Sequence, residues 1–379
     1  MFDLTPVPFL PPADLAARLA RLAAAKTPKI AVIGDFCLDK YLFLSPELNE
    51  ISVETGKTAF QVRARRVFAG AGGTVANNLR ALGAETFCFG IVGDDGDGFE
   101  LLRATREIGA DVSGMVASPE ALTSTYVKPT NPDGRGGWIE SNRFDVRNPG
   151  PFPPSAVAAL RDNFRRRAAE FDAVVVLEQF PPGSETTFSP NFRAFLADVA
   201  RENPDVFFLC DSRFFAESYR ETLVKCNANE LLDVFATARG AARKRETTLS
   251  NDAESNAAAL CEAGAWLARR NGRPVLATRG ARGSLLFDVV PSPQSPQLTQ
   301  SPQTSEVVVY SIPPRPVEPP FDVCGAGDAT NAGFVFARSL GFSLVESAFL
   351  AGVVSSIVVK QLGVTGTATV EQIVAALAE

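Results

Sequence analysis

Apolar and polar positions follow two different rhythms along this chain. Over residues 14–25, apolar and alanine positions recur at helical spacing, which predicts a leading amphipathic helix. Lys29-Ile30-Ala31-Val32-Ile33-Gly34-Asp35 is a short unbroken apolar run ending in Gly-Asp, the pattern of a buried parallel strand whose C-terminal end opens on a ligand. Residues 41–68 change character. Polar and β-branched residues alternate, as in Thr58-Ala59-Phe60-Gln61-Val62-Arg63, and predict exposed strands. The cluster Gly70-Ala71-Gly72-Gly73 opens a helix that runs through Leu82 and stops at Gly83. A strand over 86–92 and a helix over 97–108 follow, then a second exposed β segment over about 122–148.

After that segment the βα rhythm resumes. Strands are expected over 173–177, 206–210, 223–226 and 275–278, and helices over 155–170, 190–201, 230–238 and 252–271. Strands alternating with helices argue for an α/β fold: a doubly wound, mostly parallel sheet flanked by helices. The two β-rich interruptions, 41–68 and 122–148, are expected to form one small β-sheet lid over the C-terminal edge of that sheet. Residues 290–305 are low-complexity Pro/Gln/Ser, read as an expanded, mobile hairpin loop without function. No internal repeat occurs. The expected organisation is an N-terminal helical extension (1–26) and one domain (27–379).

Composition narrows the chemistry. The 379 residues are 46% hydrophobic and 21% charged, with a net charge of −6. That is an ordinary globular balance, and it disfavours nucleic acid or an acidic membrane surface as partner. No window of 18 uncharged apolar residues occurs, so no membrane span is expected, and residues 1–12 lack the basic start and apolar core of a signal peptide. Six cysteines are scattered without a C-x-x-C pair and read as reduced thiols of a cytoplasmic protein. The chain has no histidine. Ser-His-Asp and Cys-His catalysis, HExxH zinc sites and histidine bases are therefore excluded. Proton transfer falls to carboxylate, Lys, Tyr or Cys, and any bound metal is expected to be a hard, oxygen-ligated ion such as magnesium.

The strongest local chemistry lies near the C-terminus. A proline-flanked, strand-like segment runs into Asp322-Val323-Cys324-Gly325-Ala326-Gly327-Asp328, and an apolar helical pattern starts with Asp328 in its first turn. Consecutive small residues let backbone N–H groups converge, and the helix N-terminus adds partial positive charge, which makes an anion site. A carboxylate beside such a site can take a proton from a hydroxyl while the N–H groups hold developing negative charge. The plainer alternative is a glycine turn with Asp328 as a helix-start acid. Asn227-Ala228-Asn229-Glu230 reads by itself as a helix cap, and Thr278-Arg279-Gly280-Ala281-Arg282-Gly283 suits a plain turn. Gly70-Ala71-Gly72 imitates a dinucleotide fingerprint, but position 75 is Val and the preceding segment is a poor buried strand. No Walker A sequence exists. Arg63, Arg65 and Arg66 read as a solvated strand face that becomes a clamp if the substrate carries a phosphate.

Taken in order, these elements resemble the ribokinase-like (PfkB) family of ATP-dependent carbohydrate kinases over residues 28–370. The run Gly34-Asp35-Phe36-Cys37-Leu38-Asp39-Lys40-Tyr41, residues 69–84 and the ending Gln361-Leu362-Gly363-Val364-Thr365-Gly366-Thr367-Ala368-Thr369-Val370 look most like its heptose-7-phosphate kinase branch. The resemblance implies a catalytic base at Asp328, with the N–H groups of Gly325, Ala326 and Gly327 holding the transferring phosphoryl group. It implies acceptor contacts from Asp35, Asp39, Gly70, Gly72, Gly73, Thr74 and Asn78. A nucleotide site would use Asn227, Thr278, Gly280, Gly283, Cys324, Gly325 and Gly327, with Asn227 and Glu230 holding magnesium through water. ATP is the implied phosphoryl donor, and the family leaves room for a monovalent cation and for a homodimer formed through the lid. The implied reaction is phosphorylation of a hydroxyl of a sugar or sugar phosphate. A nucleoside kinase, or a sugar- or nucleotide-binding protein without catalysis, are the alternatives.

Four departures from the family pattern concern the acceptor pocket and the catalytic turn. Gly70-Ala71 stands for a glycine pair, and Thr74 stands where asparagine is usual, with Asn78 one turn on as its expected substitute. Glu178-Gln179-Phe180-Pro181-Pro182-Gly183 lacks the branch's Asp-Tyr, and Cys324 replaces a commoner Thr. Fold and machinery do not set the acceptor.

Overall fold

The computed structural model describes residues 4–5, 11–148, 150–181, 188–241, 256–290, 306–363 and 365–378. The low-complexity stretch 291–305, residues 252–255 of the expected helix, and Pro182 and Gly183 lie outside the described residues. Along the chain the elements are β1 (Leu4–Thr5), α1 (Pro12–Ala25), β2 (Lys29–Gly34), β3 (Phe36–Leu44), β4 (Glu50–Ile51), β5 (Thr58–Ala59), β6 (Val62–Ala71), α2 (Gly72–Ala81), β7 (Glu85–Phe89), β8 (Ile91–Gly93), α3 (Gly96–Glu107), β9 (Val116–Ser118), β10 (Thr125–Pro132), β11 (Trp138–Glu140) and β12 (Phe144–Val146). Then come α4 (Pro154–Arg167), β13 (Ala173–Glu178), α5 (Pro190–Glu202), β14 (Phe207–Ser212), β15 (Leu223–Asn227), α6 (Ala228–Ala238), α7 (Ala257–Asn271), β16 (Val275–Thr278), β17 (Ser284–Val290), β18 (Glu306–Ile312), α8 (Ala326–Ser339), α9 (Leu344–Val358) and α10 (Val370–Ala378).

A nine-stranded sheet in the order β1-β18-β17-β16-β15-β14-β13-β2-β7 forms the frame. From β7 to β16 every pairing is parallel, and β17 is antiparallel to both β16 and β18. The expected doubly wound α/β sheet is therefore present, with an antiparallel hairpin closing one side. The unbroken apolar strands have their physical reason here. Alternate residues of β2 feed opposite cores: Ile30 and Val32 pack with α1, α2, α8, α9 and α10, while Ala31 and Ile33 pack with α4, α5, α6 and α7. Among the described residues no helix is long and apolar enough to cross a membrane.

The lid is a second sheet, in the order β11-β10-β3-β6 with β12 also paired to β10. It starts earlier than the alternation suggested, because β3 begins at Phe36, directly after β2. Its two faces do different work. On one, Lys40 bonds Asp97 and lies 2.9 Å from Glu100, while Arg65 reaches Glu100 at 3.1 Å, so this face is tied to α3. On the other stand Asp39, Tyr41, Phe68 and Lys128, all registered side by side across β6, β3 and β10.

Several boundaries differ from the sequence reading. Gly70 and Ala71 do not open a helix. They close β6, and α2 starts at Gly72. The strand expected over 86–92 is broken at Gly90, whose missing Cβ leaves room for the Phe36 ring. The proline-flanked approach to the Gly-Ala-Gly turn is not a strand, since β18 ends at Ile312 and prolines deny the ladder its N–H donors. Helices α9 and α10 carried no expectation.

The β6–α2 junction is strained. Ala71 holds φ 49° and ψ −113°, a region suited to glycine. Relief of that strain, roughly 1–3 kcal/mol, should outweigh the added unfolded-state freedom of glycine, about 0.4–1 kcal/mol. Ala71→Gly is therefore expected to raise the thermal midpoint. A lower midpoint in a calorimetric scan would show that the turn is not strained.

Candidate active site

The C-terminal ends of β2, β14 and β15 lie beside the N-terminal turns of α2 and α8. Gly325, at φ 77°, turns the chain into α8. A Cβ there would lie 2.8 Å from the Thr365 methyl, and the left-handed φ itself favours glycine. Ala329 N–H then bonds the Gly325 carbonyl at 2.9 Å, and Thr330 Oγ1 donates to the Ala326 carbonyl at 2.8 Å. Asp328 stands in the first turn of α8, at the positive end of the helix, where the Ala326 N–H donates to the Val323 carbonyl at 3.1 Å.

Beneath that turn lies a charge pair the sequence reading missed. Lys225 Nζ sits 2.8 Å from Asp211 Oδ2, both residues buried, and Asn331 Nδ2 donates to the same oxygen at 2.7 Å. Asp211 and Lys225 are register partners on β14 and β15, and Asn331 comes from α8. Lys225 Nζ would touch a Cβ on Gly327 at 3.1 Å, so the ammonium lies directly under the Gly-Ala-Gly turn. Burial alone would push that ammonium's pKa down, but Asp211 and Glu230 outweigh it and hold the value above the ordinary one. The signal was present: a lone lysine inside the apolar run Leu223-Val224-Lys225-Cys226 needs a buried partner.

Burial and the Asp211 charge raise two carboxyls here. Burial, then the charge of Asp211, lift Asp328 to about 7, against the opposing pull of Lys225 and Arg213. Glu230 rises to about 7 for the same first two reasons. Such a surplus of negative charge suits a divalent cation held between carboxylates and phosphate oxygens. Among the described residues no three His, Cys, Asp or Glu side chains are grouped to hold a metal unaided, so water and phosphate would complete its shell.

Asn227 and Glu230 make the reciprocal cap that their spacing allowed. Asn227 Oδ1 accepts from Glu230 N–H at 2.9 Å, and Glu230 Oε2 accepts from Asn227 N–H at 2.8 Å. Thr278 is the register partner of Asn227, and its hydroxyl lies 3.5 Å from the Cys226 carbonyl. Gly280 starts a short 3₁₀ turn, and Gly283 (φ 77°) closes it against the Ile312 carbonyl, where a Cβ would collide. Cys324 is exposed, with its N–H on Asp322 Oδ1 at 2.9 Å.

On the acceptor side, Asp39 meets Lys128 Nζ at 2.7 Å, and Lys128 also reaches the Tyr41 hydroxyl at 3.2 Å. Asp39 and Tyr41 together outweigh burial and hold the Lys128 ammonium's pKa up. Gly70 is glycine because a Cβ would stand 2.6 Å from Asp39 Oδ2. Gly72 and Gly73 make similar room, for the Phe36 ring and for Ala69. Asp35 is 2% exposed, and its Oδ2 accepts from the N–H groups of Gln179 and Phe180 at 2.8 and 3.0 Å, which pins the end of β13.

One expectation needs correction. Asn78 does not stand in for the asparagine absent at 74. It is fully buried and donates to the Thr74 carbonyl at 3.0 Å, because one further turn carries a side chain about 5 Å deeper along the helix. Glu178, the first residue of the departing segment, serves the interior. It is fully buried, paired with Arg193, and bonded by Ser212 Oγ at 2.7 Å and the Tyr219 hydroxyl at 2.9 Å.

Comparison with known proteins places the chain in a family and a fold. The sequence model for pfkB family carbohydrate kinases matches residues 27–142 and 159–370. The bifunctional protein HldE of Gluconacetobacter diazotrophicus is 29% identical over 354 residues, covering 92% of this chain and 63% of that protein. The Caulobacter vibrioides protein of the same name is 30% identical over 352 residues, covering 92% and 63%. The chain thus spans less than two thirds of the length of these relatives. Arabidopsis thaliana ribokinase complexed with ribose and ATP superposes with a TM-score of 0.61 at 17% identity, covering 93% of this chain and 100% of that one. Escherichia coli phosphofructokinase-2 in complex with fructose-6-phosphate gives 0.62 at 16% identity, covering 93% and 99%. At such identities the structures establish a shared fold.

The raised carboxylates set a stability signature. Folded Asp328 and Glu230 keep protons that the unfolded chain releases between about pH 4 and 7. Their contribution to stability is therefore lost as pH rises through that window. Asp328→Asn is expected to melt above wild type at pH 8, with the difference shrinking at pH 5. A difference independent of pH would refute the raised value.

Proposed function

The chain belongs to the pfkB family of carbohydrate kinases, and from that premise we propose that it moves the γ-phosphoryl group of ATP to a hydroxyl of a sugar phosphate of the heptose-phosphate class. One observation carries this reading: Asp328 stands at the N-terminus of α8 within electrostatic reach of Asp39 on the inner face of the lid. Asp328, poised near neutrality, takes the proton of the acceptor hydroxyl. The N–H groups of Gly325 and Gly327 hold the equatorial oxygens, with the Lys225 charge beneath them, while the Ala326 N–H is taken by the Val323 carbonyl at 3.1 Å. Asp39 orients acceptor hydroxyls. Lys128, and the exposed Arg66 beside Tyr41 on the same face, receive the acceptor's own phosphate. Thr278, Gly280 and Gly283 line the nucleotide side. Magnesium, bound with ATP beside Asn227 and Glu230, neutralises charge on the phosphate oxygens. The lid closes over the acceptor and excludes water as a competing nucleophile.

The cation pair on the lid favours an anionic acceptor over a nucleoside. In a panel of sugars, sugar phosphates and nucleosides, ADP release is expected to be stimulated by a sugar phosphate, to require magnesium, and to be tested with and without potassium. Lys128→Met should raise the KM for that acceptor about tenfold or more while changing ATP affinity little, the loss of a charge-assisted contact being about 1.5–3 kcal/mol. Stimulation by nucleosides alone, or none by any acceptor, would overturn the reading.

Two further features fit. All six cysteines are free thiols, as in the reducing, ATP-rich cytoplasm. At the lid's tip, Ile51 and Phe60 are each 66% exposed and Val53 fully so, an apolar surface suited to a second copy. Equilibrium sedimentation should give twice the 40.4 kDa chain mass. Ile51→Asp combined with Phe60→Asp should return the single-chain mass. A monomeric wild type at micromolar concentration would remove the homodimer.

A further inference from the structure

Three cations around the site are committed to carboxylates, and Arg213 is not. Lys225 is held by Asp211, Lys128 by Asp39, and Arg193 by Glu178. Arg213 follows β14 directly. Its N–H donates to the Glu178 carbonyl at 3.1 Å, which fixes its backbone at the sheet edge. Asp211 pairs with Lys225 in the sheet register, so two residues further on Arg213 emerges level with Asn227, where α6 begins. Its side chain is exposed and makes no ion pair or hydrogen bond among the described residues. Its charge is felt by both Asp328, in the first turn of α8, and Glu230, in the first turn of α6.

We propose that Arg213 is a further catalytic residue: its guanidinium binds the oxygens of the γ-phosphoryl group during transfer, supplying from within the chain a cation that is weakly engaged before transfer. This rests on the kinase reading above. In the step, the acceptor hydroxyl gives its proton to Asp328 and its oxygen forms a bond to phosphorus. The bond from phosphorus to the bridging oxygen breaks, and ADP leaves with that electron pair. Charge spreads over the three equatorial oxygens, which the fork of an arginine matches better than a point charge does. Arg213 is uncommitted because a cation already paired would have to break that pair at each turnover.

The test uses the full chain and two probes, ADP alone and ADP with aluminium fluoride, a mimic of the transferring phosphoryl group. Arg213→Met should bind ADP within about threefold of wild type. It should bind ADP with aluminium fluoride about 10²-fold more weakly and lose about 10²–10³-fold in kcat. Arg213→Lys should recover part of both. The acidic limb of the pH–rate profile should move to higher pH in Arg213→Met, because a positive charge near Asp328 has been removed. Equal loss for both probes would make Arg213 a ground-state nucleotide contact, and no loss for either would make it a solvated surface residue; each result overturns the proposal. A wild-type chain that binds neither probe would instead refute the kinase reading.

Discussion

The site depends on one buried ion pair. Asp211 and Lys225 sit on adjacent parallel strands, almost fully removed from water, with Asn331 from α8 completing the bonds of the shared carboxylate oxygen. Removing either partner would leave an uncompensated buried charge, a cost of about 3–5 kcal/mol. That cost makes the pair a poor way to gain stability and an effective way to fix register. It ties β14 and β15 to the first turns of α8, and so sets where Asp328 stands relative to the sheet edge. It also sets the local field: Asp211 raises Asp328 and Glu230, while Lys225 opposes it. The Asp328 carboxyl near neutrality is thus a consequence of burial and of strand pairing.

A second buried network carries the neighbouring strand ends. Glu178 at the end of β13 pairs with Arg193 on α5 and is bonded by Ser212 and Tyr219, while Asp35 pins the next two residues by their N–H groups. Burial and the Glu178 charge hold the Tyr219 phenol protonated well above its ordinary pKa, so it stays a donor. The two networks share β14, where Asp211 serves one and Ser212 the other. Arg213 follows as the first residue free of both, and its exposure is a consequence of that order.

The lid joins the body through a short, strained connection and one electrostatic anchor. β3 leaves the sheet edge within two residues of β2, and β6 returns into α2 through Ala71 at positive φ. Lys40 and Arg65 fasten the outer face to Asp97 and Glu100 on α3, which leaves the Asp39–Lys128 face turned inward. On the function proposed above, this pairing has a use: an incoming phosphate that draws Lys128 away would free Asp39 for hydroxyls.

The sequence by itself determined the parts whose physics is local or periodic. Unbroken apolar runs such as 29–35 and 173–177 had to be strands buried on both faces, and the βα alternation had to give a mostly parallel sheet. Gly325-Ala326-Gly327-Asp328 announced a turn into a helix with an acid in its first turn, and Asn227 with Glu230 announced the cap that forms. Only the tertiary structure decided what depends on separation along the chain. Lys225 finding Asp211, Lys128 finding Asp39 and Glu178 finding Arg193 are pairings across strands and helices that no local rule fixes. The same holds for Asn78, whose burial follows from α2 packing on α8, and for Ala71, whose backbone is forced by the strand and helix on either side. Burial, charge and strain are properties of neighbours, and most of these neighbours are chosen by the fold.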